Sequence, residues 1–288
     1  MKRDFYFFTQ GLNNMAKHYV RFAPSPTGDL HLGHAFSALY AWHQAGQDSQ
    51  HFQLRIDDLD HTRCRDHFIS SQIDDLHWLG ISWDKEPLYQ SNRLHRYRDA
   101  LQFLKDKELV YPCYLSRKEV DAILSAPQEA PRLADALTDT EKQDRHDGGT
   151  EPAWRLDAQK IRQACPQLQW HDIQKGSQQV ELALLDDCVI ARRDIGASYD
   201  LSVVLDDFDS GISLVTRGED LFAQTNLHRI LQHVLGLPTP LYDHHDLIRD
   251  EAGKRLAKRD DAKSLKVMRQ SGMSQQDILA ILPLSLSK

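Results

Sequence analysis

A short apolar run, Tyr19 to Ala23, is followed by a loop in which Pro24, Pro26 and Gly28 forbid both strand and helix, and then by a helix-forming stretch, Ala35 to Ala45. A strand, a sharp turn and an apolar helix in that order require a sheet with helices packed on it. The helix opens at His31-Leu32-Gly33-His34, which puts both histidines at its N-terminus. There the unpaired amides and the positive end of the helix dipole favour a phosphate, and Gly33 admits a ligand close to the backbone. The imidazoles can donate hydrogen bonds to developing charge, with one ring expected on each side of a triphosphate.

Three later segments carry charge at the ends of apolar runs. Phe52 to Asp60 reads as a buried strand ending in carboxylates, and Leu214 to Asp220 as a strand ending in Arg217-Gly218-Glu219-Asp220 before a helical run from Leu221 to Leu235. In an open α/β sheet, ligand groups collect at such strand ends. Gly253 to Arg259 forms a basic loop flanked by acids. Strand and helix patterns alternate from Tyr19 to Val110, with helices expected over His67 to Leu79 and Arg93 to Lys107, the rhythm of a doubly wound parallel sheet. Ser125 to Thr150 has the Pro, Gly and charge content of exposed connecting structure. Strands return at Val189-Ile190, Leu201 to Leu205 and Ile212 to Val215, so residues 111–186 read as an insertion.

The expected fold class is therefore α/β: a doubly wound parallel sheet with an inserted α/β subdomain and a short C-terminal helical segment. The expected divisions are an extension over 1–17, with Met15 an alternative start, half of the sheet domain over 18–110, the insertion over 111–186, the second half over 187–240, and a loop-and-helix segment over 241–288. About 41% hydrophobic residues suffice for a large core, and no apolar run approaches membrane-helix length. Four irregularly spaced cysteines suit reduced thiols, and a cytoplasmic location is expected. The net charge of −7 excludes a general nucleic-acid binder. A local basic face is still available, because Arg249 to Arg269 carries eight Lys or Arg against four acids.

The ordered set Arg-Phe-Ala-Pro-Ser-Pro-Thr-Gly-x-Leu-His-x-Gly, Leu-Arg-Ile-acid-Asp-x-Asp, the Tyr199 segment ending in Asp206-Asp207, and Thr-Arg-Gly-Glu-Asp resembles the class I aminoacyl-tRNA synthetases of the glutamyl branch over residues 18–270. His31 to His34 stand at the "HIGH" position and Arg255 to Arg259 at the "KMSKS" position. Only residues 260–288 follow the lysine loop, too few for an anticodon-binding domain, and the Ser/Gln helix start and Pro283 break read as a finished end. On length the chain is similar to the glutamyl-Q tRNA(Asp) synthetases, the truncated relatives that glutamylate the queuosine base of tRNA(Asp).

That resemblance implies a Rossmann-type catalytic domain, activation of L-glutamate with ATP and Mg2+ in the absence of tRNA, and transfer to queuosine-bearing tRNA(Asp) by a monomer whose insertion contacts the RNA. Free glutamate has two carboxylates and one ammonium, so its pocket needs two cations and an anion. The resemblance places Arg21, Phe22, Ala23, Pro24, Ser25, Asp57, Tyr199 and Arg217 around glutamate. The arginines would meet the carboxylates, Asp57 the ammonium, and Tyr199 would donate its hydroxyl. His31 and His34 with Lys258 would be catalytic, and His31, Gly33, His34, Arg255 and Lys258 would bind ATP. The chain departs from the family pattern where Asp57 replaces a glutamate, where Arg255 and Ala257 replace lysine and serine, and where Leu115 replaces the second cysteine of a Cys-x-Cys zinc motif begun by Cys113. No zinc is expected, since a structural site needs four close ligands; Asp243-His244-His245-Asp246 is likewise not expected to bind metal. The alternatives are a fragment of a glutamyl-tRNA synthetase, a synthetase-like RNA-binding protein that has lost catalysis, and a small-molecule nucleotidyltransferase sharing only the His-x-Gly-His loop.

Overall fold

The computed structural model describes residues 17–126, 131–248 and 264–282. β1 (Val20–Phe22) runs through a proline loop into α1 (Leu32–Gln44), followed by β2 (Phe52–Ile56), α2 (Asp66–Trp78), β3 (Leu88–Tyr89) and α3 (Leu94–Asp106). β2 lies parallel to β1 with Val20 opposite Phe52, and β3 lies parallel to β2. α1 starts because its first turn caps itself: His31 Nδ1 accepts from the Gly33 amide at 3.0 Å, and His34 Nδ1 accepts from the His31 amide at 3.3 Å. Ala35, Phe36 and the run Ala38 to Trp42 are then all buried, Trp42 edge-on to Phe52 with ring centroids 5.4 Å apart. Truncating such a core tryptophan costs about 3–5 kcal/mol. The chain leaves α1 through Gly46, whose φ of 67° disfavours other residues.

The chain continues through β4 (Val110–Cys113), α4 (Arg117–Leu124), α5 (Asp139–Asp147), β5 (Ala153–Leu156), α6 (Ala158–Ala164), β6 (Gln169–Asp172), β7 (Gly176–Gln179) and β8 (Val189–Ala191). α7 (Tyr199–Asp209), β9 (Leu214–Gly218), α8 (Thr225–Val234) and β10 (Leu241–His245) complete the sheet region, and α9 (Leu265–Gln270) and α10 (Gln275–Ile281) pack behind α1 and α2. β9 and β10 are parallel, with His244 opposite Arg217. β9 meets β1 at its start, where the Tyr19 carbonyl accepts from the amides of Ser213 and Leu214. The C-terminal ends of β2, β1, β9 and β10 are thereby brought to one edge.

The pairings cross the boundaries expected at 186/187. β6 lies inside the expected insertion, yet it runs parallel to β10 and extends the β9–β10 sheet, whereas β8 lies beyond the insertion and joins β5 and β4. Leu201 to Leu205, expected as a strand, is helical. Ser198 caps α7 by accepting from the Leu201 amide, and the helix is buried on several sides, so its apolar run shows no 3.6-residue period. Within the expected connecting stretch, α5 forms with no buried residue, started by a Thr138/Glu141 capping box. Gln72 and Ser71 on α2 hold the proline loop, Gln72 Nε2 donating to the Gly28 carbonyl at 2.8 Å and Ser71 Oγ to Asp29 at 2.8 Å. One turn on, buried Asp75 meets Arg269 of α9 at 3.1 Å.

Candidate active site

A cavity of about 410 Å³ opens where these strands end. Its wall includes Arg21, Phe22 and Ala23 from the end of β1, Asp57 after β2, Arg217 and Gly218 from β9, Tyr199 from the first turn of α7, and His31, Gly33 and His34 from the start of α1. Residues far apart in sequence and expected to share one site are thus gathered into it. Pro24 and Ser25 are not in the wall; the Pro24 carbonyl accepts from the Asp57 amide at 3.0 Å, tying the ends of β1 and β2 together. Gly218 has no space for a side chain, since a Cβ there would lie 2.6 Å from Asp220 and 2.8 Å from Leu247. Arg255 and Lys258 lie outside the described residues.

The two histidines do not flank a gap as expected. Their rings stack with centroids 3.8 Å apart and planes 26° from parallel. The cause is local: the reciprocal cap commits both Nδ1 atoms to backbone amides, which forces the rings onto one face of the first turn. With Nδ1 accepting, each neutral ring carries its proton on Nε2.

On the β1–β2 side, charge is balanced by direct contact. Arg21 Nε donates to Asp207 at 2.8 Å and its Nη1 to the Thr216 carbonyl at 3.0 Å. Arg55 spans Asp57 (2.7 and 3.3 Å) and Asp207 (2.6 Å). Burial would raise the Asp207 carboxyl, but Arg21 and Arg55 together hold it below the usual carboxylate range. Asp57, expected to receive an ammonium, is buried and gripped by Arg55, so its position is set before any ligand arrives.

On the β9–β10 side the arrangement differs. Arg217 is only 6% exposed and has no carboxylate within ion-pair distance among the described residues. Its Nε donates to His244 Nε2 at 3.2 Å, Nη1 pairs with His228 Nδ1 at 3.3 Å, Nη2 donates to Thr225 Oγ1, and its guanidinium carbon lies 5.5 Å from the Tyr242 ring centre. Burial lowers the pKa of His228, and lowers that of His244 to about 4, so both rings are neutral near pH 7. An arginine remains charged even when buried. Among the described residues, this guanidinium in the cavity wall is therefore contacted by neutral groups only.

Arg55, Asp207, His228 and His244 were given no role in the site from the sequence. Arg55 lies within the Leu-Arg-Ile segment and His244 within the Asp243–Asp246 run, where three successive buried polar residues close a strand. That burial is the signal, and it is visible only once β10 is seen flanked by β6 and β9. In the insertion, Cys113 and Leu115 are both buried with Val120 and Leu133, and Arg193 Nη2 donates to the carbonyls of Cys113 (3.2 Å) and Leu115 (2.6 Å). Arg145 meanwhile forks onto Glu119 at 2.7 and 3.0 Å. The four cysteines are unpaired. No helix among the described residues is long and apolar enough to cross a membrane.

Residues 17–285 match the model of the class I tRNA synthetases (E and Q), catalytic domain. The chain is 44% identical over 285 residues to a glutamyl-Q tRNA(Asp) synthetase of Rhodobacter capsulatus, covering 92% of this chain and 99% of that protein. It is 38% identical to a glutamate–tRNA ligase of a Synechococcus strain, but spans only 53% of that longer protein. Among solved structures, the glutamate-tRNA synthetase of Elizabethkingia anophelis superposes with a TM-score of 0.72 at 26% identity, over 90% of this chain and 54% of that one. A buried guanidinium and a helix N-terminus in one cavity wall agree with these likenesses: the chain belongs to the class I aminoacyl-tRNA synthetases of the glutamate and glutamine branch, in the glutamyl-Q tRNA(Asp) synthetase family, and is a ligase of that type.

Proposed function

We propose that this protein activates L-glutamate with ATP, without tRNA, and passes the glutamyl group to the queuosine base of tRNA(Asp). The observation that carries the reading is Arg217, buried in the cavity wall with only neutral partners among the described residues. One substrate carboxylate pairs with it, the other is steered by Arg21, and Asp57 and the Tyr199 hydroxyl bind the remaining polar groups. A glutamate carboxylate oxygen attacks the α-phosphorus of ATP, the bond to the leaving pyrophosphate breaks, and glutamyl adenylate forms. A queuosine hydroxyl then attacks the carbonyl carbon, loses its proton, and AMP departs. No enzyme nucleophile is needed; positioning and charge stabilisation supply the rate. His31 and His34, at the start of α1, donate from Nε2 to phosphate oxygens, Gly33 lets the triphosphate approach, and Arg255 and Lys258 follow its charge as it rearranges. Mg2+ enters with ATP and offsets phosphate charge.

The same reading takes the protein as a cytoplasmic monomer without zinc. Support for the last point is chemical: Leu115 offers no donor, and Cys113 is packed among apolar side chains. Among the described residues no group of three or more His, Cys, Asp or Glu is arranged to hold a metal ion.

The test is ATP–pyrophosphate exchange with a panel of amino acids and no tRNA, followed by transfer of labelled glutamate to tRNA(Asp) with and without queuosine. Exchange with glutamate alone, and labelling only of the queuosine-bearing tRNA, is expected. Exchange that requires tRNA(Glu) would instead identify a glutamyl-tRNA synthetase fragment.

A further inference from the structure

His228 and His244 each stand between a carboxylate and Arg217, and His244 Nε2 also lies 3.1 Å from Thr225 Oγ1. His244 Nδ1 lies 2.6 Å from Asp172 and its Nε2 faces Arg217; His228 Nε2 lies 3.0 Å from Asp200 and its Nδ1 faces Arg217. A carboxylate can only accept, so in each ring the proton sits on the nitrogen facing the aspartate, and the bare nitrogen faces the guanidinium. Both aspartates are held in turn. Asp172 is fully buried and also accepts from the amides of Gln174, Lys175 and His244, while Asp200 accepts from Gln224 Nε2 at 2.6 Å. The two imidazoles therefore keep two carboxylates one ring away from Arg217, where direct contact would neutralise it.

We propose that His228 and His244 are positioning residues that fix the plane of Arg217 with neutral acceptors and so keep its charge for one carboxylate of the amino-acid substrate. The arrangement comes from three separate elements, since Asp172 ends β6, His244 lies on β10, and His228 lies on α8. The extension of the catalytic sheet by β6 is what delivers Asp172 to this place. The inference rests on the glutamate reading given above and refines it: Arg21 and Arg55 are matched by Asp207 and Asp57, and Arg217 alone of these three is spaced from carboxylate.

The test compares the near-isosteric variants His228→Asn and His228→Asp. Asparagine keeps a neutral acceptor near the position of Nδ1; aspartate brings a negative charge to the same place. The glutamate KM, ATP KM and kcat are read by pyrophosphate exchange, with Tm as a check on folding. A KM for glutamate about tenfold or more higher in His228→Asp than in His228→Asn, with the ATP KM within about twofold of wild type, is expected. Equal glutamate KM values, or a parallel rise in the ATP KM, would overturn the proposal. If His228→Asp does not fold, the pair His244→Gln and His244→Glu reads the same contrast at the other ring. If wild-type protein exchanges with a different amino acid, the glutamate reading fails, and the neutral-to-charged ratio is measured with that amino acid. Folded wild-type protein silent with every amino acid would overturn both.

Discussion

The two walls of the cavity hold buried arginines by opposite means. On the β1–β2 wall, Arg21 and Arg55 touch Asp207 and Asp57 directly, so their charges are matched within the protein before any ligand arrives. On the β9–β10 wall, Arg217 touches two neutral imidazoles and a threonine hydroxyl, and no carboxylate among the described residues matches its charge by contact. Removing one partner from a buried ion cluster strands the charges of the others, whereas removing Arg217 strands no contacting carboxylate and leaves neutral acceptors without a donor. The lesson is that a buried arginine announces its role by what contacts it, and the comparison can be broken experimentally.

The largest effect is expected from Arg217→Met, which should lower glutamate-dependent exchange by about a hundredfold or more at a stability cost of about 1–3 kcal/mol, set by the acceptors it leaves without a donor. Arg55→Met should do the reverse in kind, costing about 3–5 kcal/mol of stability in a denaturant titration by leaving Asp57 and Asp207 buried with too little positive charge. If both variants lose stability alike, the division between a structural wall and a receptor wall is wrong.

A third prediction concerns pH. The folded-state pKa of His244 is about 4 against an ordinary 6.5, and His228 and His245 are also lowered, chiefly by burial. A depressed histidine pKa means that its contribution is complete above about pH 6.5 and is lost as pH falls toward 4, on the order of 3 kcal/mol for His244. Asp57 and Asp75 oppose this: burial raises both carboxyls, Asp75 to about 6, so their contribution is present at low pH and lost as pH rises. With His18 and His43 lowered by burial as well, five histidines stand against two aspartates, so Tm should fall between pH 7 and pH 4.5, and His228→Asn should flatten the curve. A Tm flat across that interval would contradict neutral imidazoles on the receptor wall.

The smallest effect is expected far from both walls. Dialysis against a zinc-selective chelator should leave Tm and glutamate exchange unchanged, because the Cys113–Leu115 turn is secured by apolar contacts and by Arg193 on two carbonyls. A drop in Tm that zinc restores would show that metal is bound after all.

Much of this was legible before any coordinates. The proline loop between β1 and α1, the carboxylate-tipped β2 and the Arg217-Gly218 end of β9 are local patterns, and local patterns report local backbone geometry and the chemistry gathered at strand ends. The run Leu201 to Leu205 misled, because a helix buried on several sides hides its period. The stacked pair His31/His34 misled for a related reason, since capping hydrogen bonds, unseen in a motif, orient the rings.

What the sequence determined by itself is the order of chemical parts along the chain and the family pattern they compose. Only the tertiary structure decided which arginine is neutralised and which is kept charged. That depends on β6 joining β10 and on α8 packing beside β9, which bring Asp172, His244 and His228 to Arg217 from positions up to 45 residues away. Charge compensation depends on how near the opposite charge lies and on what surrounds the pair. It is therefore a property of contacts, and contacts between distant segments exist only once the chain has folded.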